Sequence, residues 1–237
     1  MLDLTAEMGQ LWASLGAFAS APTPGHGRVL QFVSAHSGEG TSTVAREFAR
    51  YAAARAKRPV WLVDLDLPLA DQYGAIAHQR QRFGAVGAQA AASPDSSTFF
   101  TVQPPARGKD GRAVPDIHYL VAHPVGGARL WVTRFRREKM RPNQTVHVIP
   151  GGAYWSALRS HAELIILDAP ATDRSNTALT LAPYVDASVL VLSADAGDAG
   201  GPSALKAAIT GGGGRCAGVF VNRVTVEAPG FLRSVLR

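Results

Sequence analysis

The fold is decided by residues 29–43, Val-Leu-Gln-Phe-Val-Ser-Ala-His-Ser-Gly-Glu-Gly-Thr-Ser-Thr. The first six residues are a short apolar run that predicts a buried strand, and a loop with two glycines follows. Beyond the loop, Val44, Phe48 and Ala52 recur at helical spacing, which predicts a helix from about residue 42 to residue 57. A strand, a glycine-containing loop and a helix in this order form the setting of a phosphate-binding loop.

Apolar runs further along the chain extend this pattern. Residues 59–64, Pro-Val-Trp-Leu-Val-Asp, are almost continuously apolar, as are parallel strands covered on both faces. The resulting βαβ unit predicts an α/β fold with a doubly wound, mostly parallel sheet of the P-loop NTPase type. The sequence predicts further strands at 163–168, 187–192 and 217–222, the last one buried, and helices at 177–181 and 202–210.

The 237 residues, 46% of them hydrophobic, suffice for one large α/β domain. We predict an N-terminal helix and a breaker-rich linker over 1–27, followed by a P-loop NTPase-like domain over 28–237. Within that domain, residues 84–150 are expected to form an irregular insertion. Its strand-like runs are 117–121, 130–135 and 146–149, with Pro124 in a turn between the first two, and a helix is predicted at 154–160.

Charge and cysteine content narrow the function classes. The single cysteine, Cys216, excludes a disulfide framework and a multi-cysteine metal site. The net charge of +6 favours acidic partners, and the basic segment 134–141 is a candidate surface for nucleic acid or anionic lipid. An edge strand kept soluble by its charges is the favoured interpretation of this segment, so nucleic acid is not an expected partner. Without a signal-peptide pattern or an apolar run of about 18–20 residues, we expect a cytoplasmic protein that reaches the inner membrane only through a partner.

The glycine loop is the first candidate site. Successive backbone N–H groups of such a loop, together with the helix N-terminus, hold anionic phosphates. The candidate nucleotide-binding residues of the loop are Gly38, Glu39, Gly40, Thr41, Ser42 and Thr43. In the Walker A pattern G-x-x-x-x-G-K-[ST], Ala35 stands at the first position and Thr41 at the lysine. The alternative is a tight turn with a Ser/Thr helix cap.

Carboxylates at two predicted strand ends are the second candidate. Asp64 and Asp66 end one strand and are candidate catalytic residues that orient a nucleophile or water, while Asp168 closes a Walker B-like run. In open α/β sheets, ligands bind at the carboxyl ends of the parallel strands. Ser42, Asp64 and Asp168 are therefore the candidate Mg²⁺ ligands, and ATP with Mg²⁺ is the predicted cofactor. Helix capping and loop solvation are the alternative for the Asp-x-Asp pair.

A third candidate is the end of the last predicted strand. The amide of Asn222 could read an adenine edge, and Arg223 follows it, so both are candidate nucleotide-binding residues. A plain strand end is the alternative for this pair alone. The order of the motifs, each at the end of an apolar strand, favours nucleotide binding.

Together these motifs resemble the cytoplasmic module of bacterial tyrosine kinases and, more widely, the ParA/MinD ATPases. The resemblance rests on residues 37–43 (Ser-Gly-Glu-Gly-x-Ser-Thr), 63–66 (Val-Asp-x-Asp), 167–170 (Leu-Asp-x-Pro) and 221–223 (Val-Asn-Arg). It implies capsule or exopolysaccharide biosynthesis, a membrane-bound polysaccharide co-polymerase as partner through its cytoplasmic part, and a homo-oligomer. The holdfast-polysaccharide type of stalked bacteria is the degenerate relative that the chain resembles.

Three departures from the family pattern weaken the expectation of kinase activity. Thr41 replaces the lysine, whose charge-assisted contact to phosphate contributes on the order of 1.5–3 kcal/mol. No tyrosine follows Tyr184, and Glu7 is followed by Gln10 and Ala13 where the family has Glu-x-x-Arg-x-x-Arg. The leading hypothesis is a regulator or scaffold with weak or no kinase activity. The alternatives are an active ParA/MinD-type ATPase, in which another residue replaces the lysine, and a nucleotide-independent adaptor.

Overall fold

The computed structural model describes residues 3–16, 26–69, 72–127, 129–195 and 200–224. Most of the predicted linker and the C-terminal segment 225–237 lie outside these ranges, and the division at residue 27 stays a prediction. Within the described ranges, no helix has the length and apolar character needed to span a bilayer.

The described chain contains seven α-helices and ten strands. The helices are α1 (Thr5–Leu15), α2 (Thr41–Ala53), α3 (Gln72–His78), α4 (Arg80–Phe83), α5 (Gly152–His161), α6 (Thr177–Leu181) and α7 (Gly201–Gly211). The strands are β1 (Arg28–Val33), β2 (Val60–Asp64), β3 (Ala90–Ala91), β4 (Phe100–Gln103), β5 (Leu120–Val125), β6 (Leu130–Phe135), β7 (Thr145–Val148), β8 (Leu164–Asp168), β9 (Ala187–Ser193) and β10 (Cys216–Asn222).

Eight of the described strands form one sheet in the order β10-β9-β1-β8-β2-β6-β5-β3. The strands from β10 to β6 are parallel, whereas β5 and β3 are antiparallel to their neighbours. This confirms the predicted α/β fold with a mostly parallel sheet. The segment 84–150, expected to be irregular, supplies β3, β5 and β6 to this sheet and a separate antiparallel pair, β4 and β7.

The apolar strands are explained by cover on both faces of the sheet. Along β1, Val29 and Val33 belong to one buried core, while Leu30 and Phe32 belong to the core on the opposite face. On the second face, the ring of Phe48 from α2 lies 5.3 Å from that of Phe32. Both faces are thus removed from water, which is why these strands read as continuous apolar runs.

Two local predictions are wrong. Pro124 lies inside β5, opposite Trp131 of β6, and not in a turn, while residues 117–119 form a 3-10 turn before the strand. The carbonyl of Pro124 accepts the N–H of Gly87, so its nitrogen also points away from β6 and the missing donor leaves that pairing intact.

The prediction of a buried last strand is also wrong. β10 is an edge strand that pairs with β9 alone, and Val219 and Val221 are 50% and 46% exposed. An apolar run does not distinguish an edge strand from a central one, because the position in the sheet is set by tertiary contacts.

Candidate nucleotide-binding site

The loops that follow the parallel strands meet at one edge of the sheet. In the register of β8, Asp168 lies opposite Phe32 of β1 on one side and opposite Asp64 of β2 on the other. Between these loops lies a cleft of about 340 Å³. The cleft is lined by Ser34, Ser37, Gly38, Glu39, Gly40, Thr41, Ser42, Thr43, Asp66, Leu69, Asp168, Ala169, Pro170, Ala171 and Arg174.

The glycine loop offers its backbone donors to this cleft. Gly38 and Gly40 have φ angles of +87° and +91°, which favour glycine. A Cβ on Gly40 would also lie only 2.2 Å from Nδ2 of Asn222. Within the described part of the chain, the N–H groups of residues 38–42 have no protein acceptor. Such a run of unpaired donors at the start of a helix is the structure of an anion site.

Glu39 supports the loop from behind. Its buried carboxylate accepts hydrogen bonds from the N–H groups of His36 at 3.0 Å and Ser193 at 3.3 Å. These bonds join the loop to the end of β9. Because the carboxylate of Glu39 already accepts these hydrogen bonds, the predicted contact of Glu39 with a nucleotide would be made by its backbone N–H group.

Thr41 is the first residue of α2 and is almost fully buried at the base of the cleft. Its Oγ1 has no hydrogen-bond partner among the described residues. The hydroxyl carries no charge, so the loop itself presents only partial positive charges from N–H groups and the helix dipole. The backbone N–H of Thr43 is used internally, since it donates to the carbonyl of Gly40 at 3.0 Å.

Asp168 and Ser42 come together on the floor of the cleft, with Gln72 beside them. Nε2 of Gln72 donates to Oδ2 of Asp168 at 2.6 Å and to the carbonyl of Ser42 at 2.9 Å. Burial raises the pKa of Asp168, while the side chains of Gln72 and Ser42 hold it lower. The second oxygen, Oδ1, is buried and has no partner at ordinary hydrogen-bond geometry in the described chain. An unpaired carboxylate oxygen facing a serine is suited to Mg²⁺.

Asp64 is adjacent but differently engaged. Its oxygens accept the N–H groups of Asp66 at 3.1 Å and of Gln72 at 3.0 Å. Burial and the nearby carboxylate of Asp168 raise its pKa. Asp64 also lines a neighbouring cleft and not the one beside the glycine loop. The structure thus brings together two of the three predicted metal ligands, Ser42 and Asp168, whereas Asp64 mainly holds the backbone.

No group of three His, Cys, Asp or Glu side chains suited to a metal ion occurs among the described residues. A cation at this cleft would therefore need oxygens from a ligand or from water in addition to those of Ser42 and Asp168. Mg²⁺ is commonly bound in this way, by one or two protein groups and substrate phosphates.

Asp66 lies at the mouth of the cleft and forms an ion pair with Arg174. Arg174 belongs to the loop after β8, and its side chain is 46% exposed. The two residues link the loops on either side of the opening. The predicted role of Asp66, to orient a nucleophile, stays a prediction.

Asn222 and Arg223 contact the glycine loop from the side of β10. Nδ2 of Asn222 donates to the carbonyl of Glu39 at 2.9 Å, and its Oδ1 accepts the N–H of Arg223. Nη2 of Arg223 donates to the carbonyl of Gly38 at 2.8 Å. Both groups of the Asn222 amide are occupied, which favours support of the loop over reading of a base.

The basic segment 134–141 uses its arginines within the protein. Arg134 pairs with Glu138 at 3.0 Å. Arg137 and Arg141 donate to the carbonyls of Pro68 and Arg107, both at 3.0 Å, and Arg136 donates to the carbonyl of His118. The expectation of an edge strand is wrong, because β6 pairs with β2 on one side and with β5 on the other. The contacts of the arginines nevertheless favour a structural role over a nucleic-acid or lipid site.

Comparison with protein-family models finds no match, and comparison with curated proteins finds none either. Solved structures do match. The kinase domain of the Escherichia coli tyrosine kinase ETK aligns with a TM-score of 0.64 at 17% identity, over 94% of this chain and 77% of that one. The VpsO kinase domain aligns at 0.53 and 19% identity, over 94% and 100%. A ParA-family ATPase from Chlorobium tepidum aligns at 0.52 and 14% identity, over 90% and 81%.

The chain has the fold of a bacterial tyrosine-kinase domain. This confirms the expected similarity in fold to the bacterial tyrosine kinases and the ParA ATPases. At identities below 20%, the likeness establishes the fold alone, and the chemistry depends on the residues of the cleft.

In this kinase-domain fold, the tyrosines of the chain are poorly placed as phosphate acceptors. Tyr119 and Tyr154 are buried, and burial raises the pKa of Tyr154. Tyr51 lies under the guanidinium of Arg55, at 3.5 Å from the ring centroid. Tyr184, 39% exposed, is the most accessible of the five.

Sequence reasoning missed two residues of the site. Gln72 is the first residue of α3, and Arg174 lies six residues beyond Asp168 in an irregular loop. Neither belongs to a motif, so no sequence signal marks them. Gln72 is brought against Asp168 by the packing of α3, and Arg174 is brought to the cleft by the loop after β8.

Proposed function

We propose that this chain is a regulatory or scaffolding P-loop protein that binds a nucleoside triphosphate with Mg²⁺ and has weak or no kinase activity. The observation that carries the proposal is the run of N–H groups at residues 38–42 without protein acceptors, beside the buried, unpaired Oδ1 of Asp168. Buried polar groups in proteins nearly always have partners, so the unpaired Oδ1 of Asp168, next to a loop whose N–H groups point to no protein acceptor, indicates a ligand.

The chemistry of the cleft fits ATP with Mg²⁺. The loop N–H groups and the N-terminus of α2 would hold phosphate oxygens. Ser42 and Asp168 would hold the cation, which when bound offsets the negative charge of the phosphates. Asp168 is positioned for this because β8 is central in the sheet and its register with β1 fixes the carboxylate behind the loop.

The same cleft is poorly equipped for phosphoryl transfer to tyrosine. Thr41 supplies no charge to the β- and γ-phosphates. Asp64 is engaged by two backbone N–H groups, so its carboxylate is not free to orient a nucleophile in this structure. These two features support a binding module over an efficient kinase.

The biological setting in this proposal rests on the motif resemblance. We infer that the chain acts with the cytoplasmic part of a membrane-bound polysaccharide co-polymerase in exopolysaccharide or capsule synthesis and export, with the holdfast type as one form of that setting. The interaction with this partner would then depend on whether residues 38–43 hold a nucleotide.

A titration of the purified chain with labelled ATP tests the proposal. We expect saturable binding that is stronger with Mg²⁺ than with EDTA. Asp168→Asn should abolish the difference between the two conditions. Asp110→Asn is the matched control, because Asp110 is an exposed aspartate outside the cleft, and it should bind as the unmodified protein does.

Absence of saturable ATP binding, with a native circular dichroism spectrum, would contradict the proposal and favour the nucleotide-independent adaptor. Sustained ATP turnover would instead favour the active ParA/MinD-type ATPase. The two measurements together separate the three hypotheses.

A further inference from the structure

The cleft beside the glycine loop contains a single lysine or arginine among the residues described, and that residue is Arg174. Arg46 lies nearby on α2 but donates to Gln72 at 2.9 Å and does not line the cleft. Arg223 is outside the lining as well and donates to the carbonyl of Gly38. A triphosphate bound here would therefore meet one cationic side chain of the cleft lining, and that side chain does not belong to the glycine loop.

The loop that carries Arg174 is fixed to the glycine loop. The N–H groups of Thr172 and Asp173 donate to the carbonyls of Ser34 and Ala35 at 3.1 and 3.2 Å. In return, Asp173 accepts the backbone N–H of Ser37 at 2.8 Å and its hydroxyl at 2.9 Å. Four hydrogen bonds thus hold the backbone next to Arg174 against the phosphate-binding loop.

The guanidinium of Arg174 has freedom to change partners. Its present partner is Asp66, and the pair is partly exposed at the mouth of the cleft. The side chain of Arg174 is 46% exposed while that of Asp66 is 14% exposed, so the guanidinium is the partner with room to turn, and a phosphate in the cleft would replace the carboxylate as its anion. A planar guanidinium suits phosphate oxygens, which it can bind through two parallel N–H donors.

We propose that Arg174 supplies the positive charge that Thr41 does not, by leaving Asp66 and binding the terminal phosphates of the nucleotide. The inference rests on the proposed function. It also gives Asp66 a role that depends on the ligand, because Asp66 loses its cation when the triphosphate binds.

A double-mutant cycle tests this, with labelled ATP as the probe. Arg174→Ala should weaken ATP binding about ten- to a hundredfold, the value of one charge-assisted phosphate contact. In the Arg174→Ala protein, Thr41→Lys should raise the affinity for ATP by about the same factor. In the unmodified protein the gain should be less than about fivefold, because Arg174 already supplies the positive charge. Arg112→Ala is the matched control, since Arg112 also faces an aspartate, Asp110, outside the cleft.

Asp66→Asn provides a second variant that leaves Arg174 in place. Removal of the competing carboxylate should tighten ATP binding by about two- to tenfold, because Arg174 then has no anion to leave. AMP should respond to neither substitution, because it lacks the terminal phosphates.

The outcomes separate the two proposals. If the unmodified protein does not bind ATP, both fail. If it binds ATP but Arg174→Ala changes the affinity by less than twofold, or if the effects of Thr41→Lys and Arg174→Ala are additive, the role of Arg174 alone is overturned. Thermal unfolding of each variant shows whether a loss of binding reflects a loss of fold.

Discussion

The side-chain amide of Gln72 donates to the carboxylate of Asp168 at 2.6 Å. The same nitrogen also donates to the carbonyl of Ser42, so an N–H donor group lies between two oxygens where a cation would otherwise be attracted. In this structure the amide of Gln72 occupies one oxygen of Asp168 and the carbonyl of Ser42 by hydrogen bonding. Binding of Mg²⁺ would have to compete with it.

Gln72→Ala should therefore tighten Mg²⁺-dependent ATP binding about two- to tenfold, the value of one ordinary hydrogen bond. Stability should fall by about 1–3 kcal/mol, because Arg46 loses its acceptor. Gln144→Ala is the control, since Gln144 is also buried and its side chain makes two hydrogen bonds away from the cleft. Equal ATP affinities for the two variants in calorimetric titrations would contradict the competition.

The buried carboxylates predict an unusual pH dependence. The pKa of Asp168 is raised by burial from 3.8 to about 6, so the folded protein keeps a proton that the unfolded chain has released. Stability should consequently fall as the pH rises from about 4 to about 6, by on the order of 1–3 kcal/mol. Urea unfolding in EDTA at pH 4.5 and 7 should show this fall, and Asp168→Asn should reduce it. A decrease of equal size in both proteins would exclude Asp168 as its origin.

Thr41 and Thr133 make a matched pair of buried threonines. Oγ1 of Thr41 has no partner in the described chain, whereas Oγ1 of Thr133 accepts the N–H of Asp64 at 3.1 Å. Thr41→Val removes an unpaired buried hydroxyl and should stabilise the protein by about 0.5–2 kcal/mol, while Thr133→Val should destabilise it by about 1–3 kcal/mol. Denaturant midpoints measure both. The prediction fails if the two changes have the same sign.

Asn222→Ala separates the two interpretations of that residue. If its amide supports the carbonyl of Glu39, as the 2.9 Å contact indicates, the affinities for ATP and GTP should fall together, by about two- to tenfold. If the amide reads adenine, ATP alone should bind more weakly. Competition between the two nucleotides gives the ratio directly, and a change of more than about threefold in that ratio would favour base reading.

The purified chain should acquire little phosphotyrosine when incubated with ATP and Mg²⁺. Four of the five tyrosines are buried or partly buried, and the cleft lacks the loop lysine. Detection with an anti-phosphotyrosine antibody, with Tyr184→Phe as the control for the exposed position, measures this. Strong phosphorylation of the unmodified chain would contradict the weak-kinase proposal.

The sequence by itself determined the parallel sheet and the order of its motifs. Continuous apolar runs such as residues 164–167 can be buried only with cover on both faces, and the aspartates and glycines that end such runs must then face one edge. The positions of the glycine loop, Asp64 and Asp168 at this edge were therefore predictable. The absence of a lysine at Thr41 could also be read directly.

Tertiary structure alone decided the partners of these residues. Asp64 and Asp168 lie opposite each other in the register of β2 and β8. Asp64 nevertheless accepts hydrogen bonds from backbone N–H groups, whereas Asp168 accepts one from Gln72, which belongs to a helix without a motif. Arg174 reaches the cleft because its loop is bonded to the glycine loop, and β10 is exposed because it lies at the edge of the sheet. Such contacts join residues far apart in the chain, and their geometry depends on how the loops pack, which local sequence patterns do not encode.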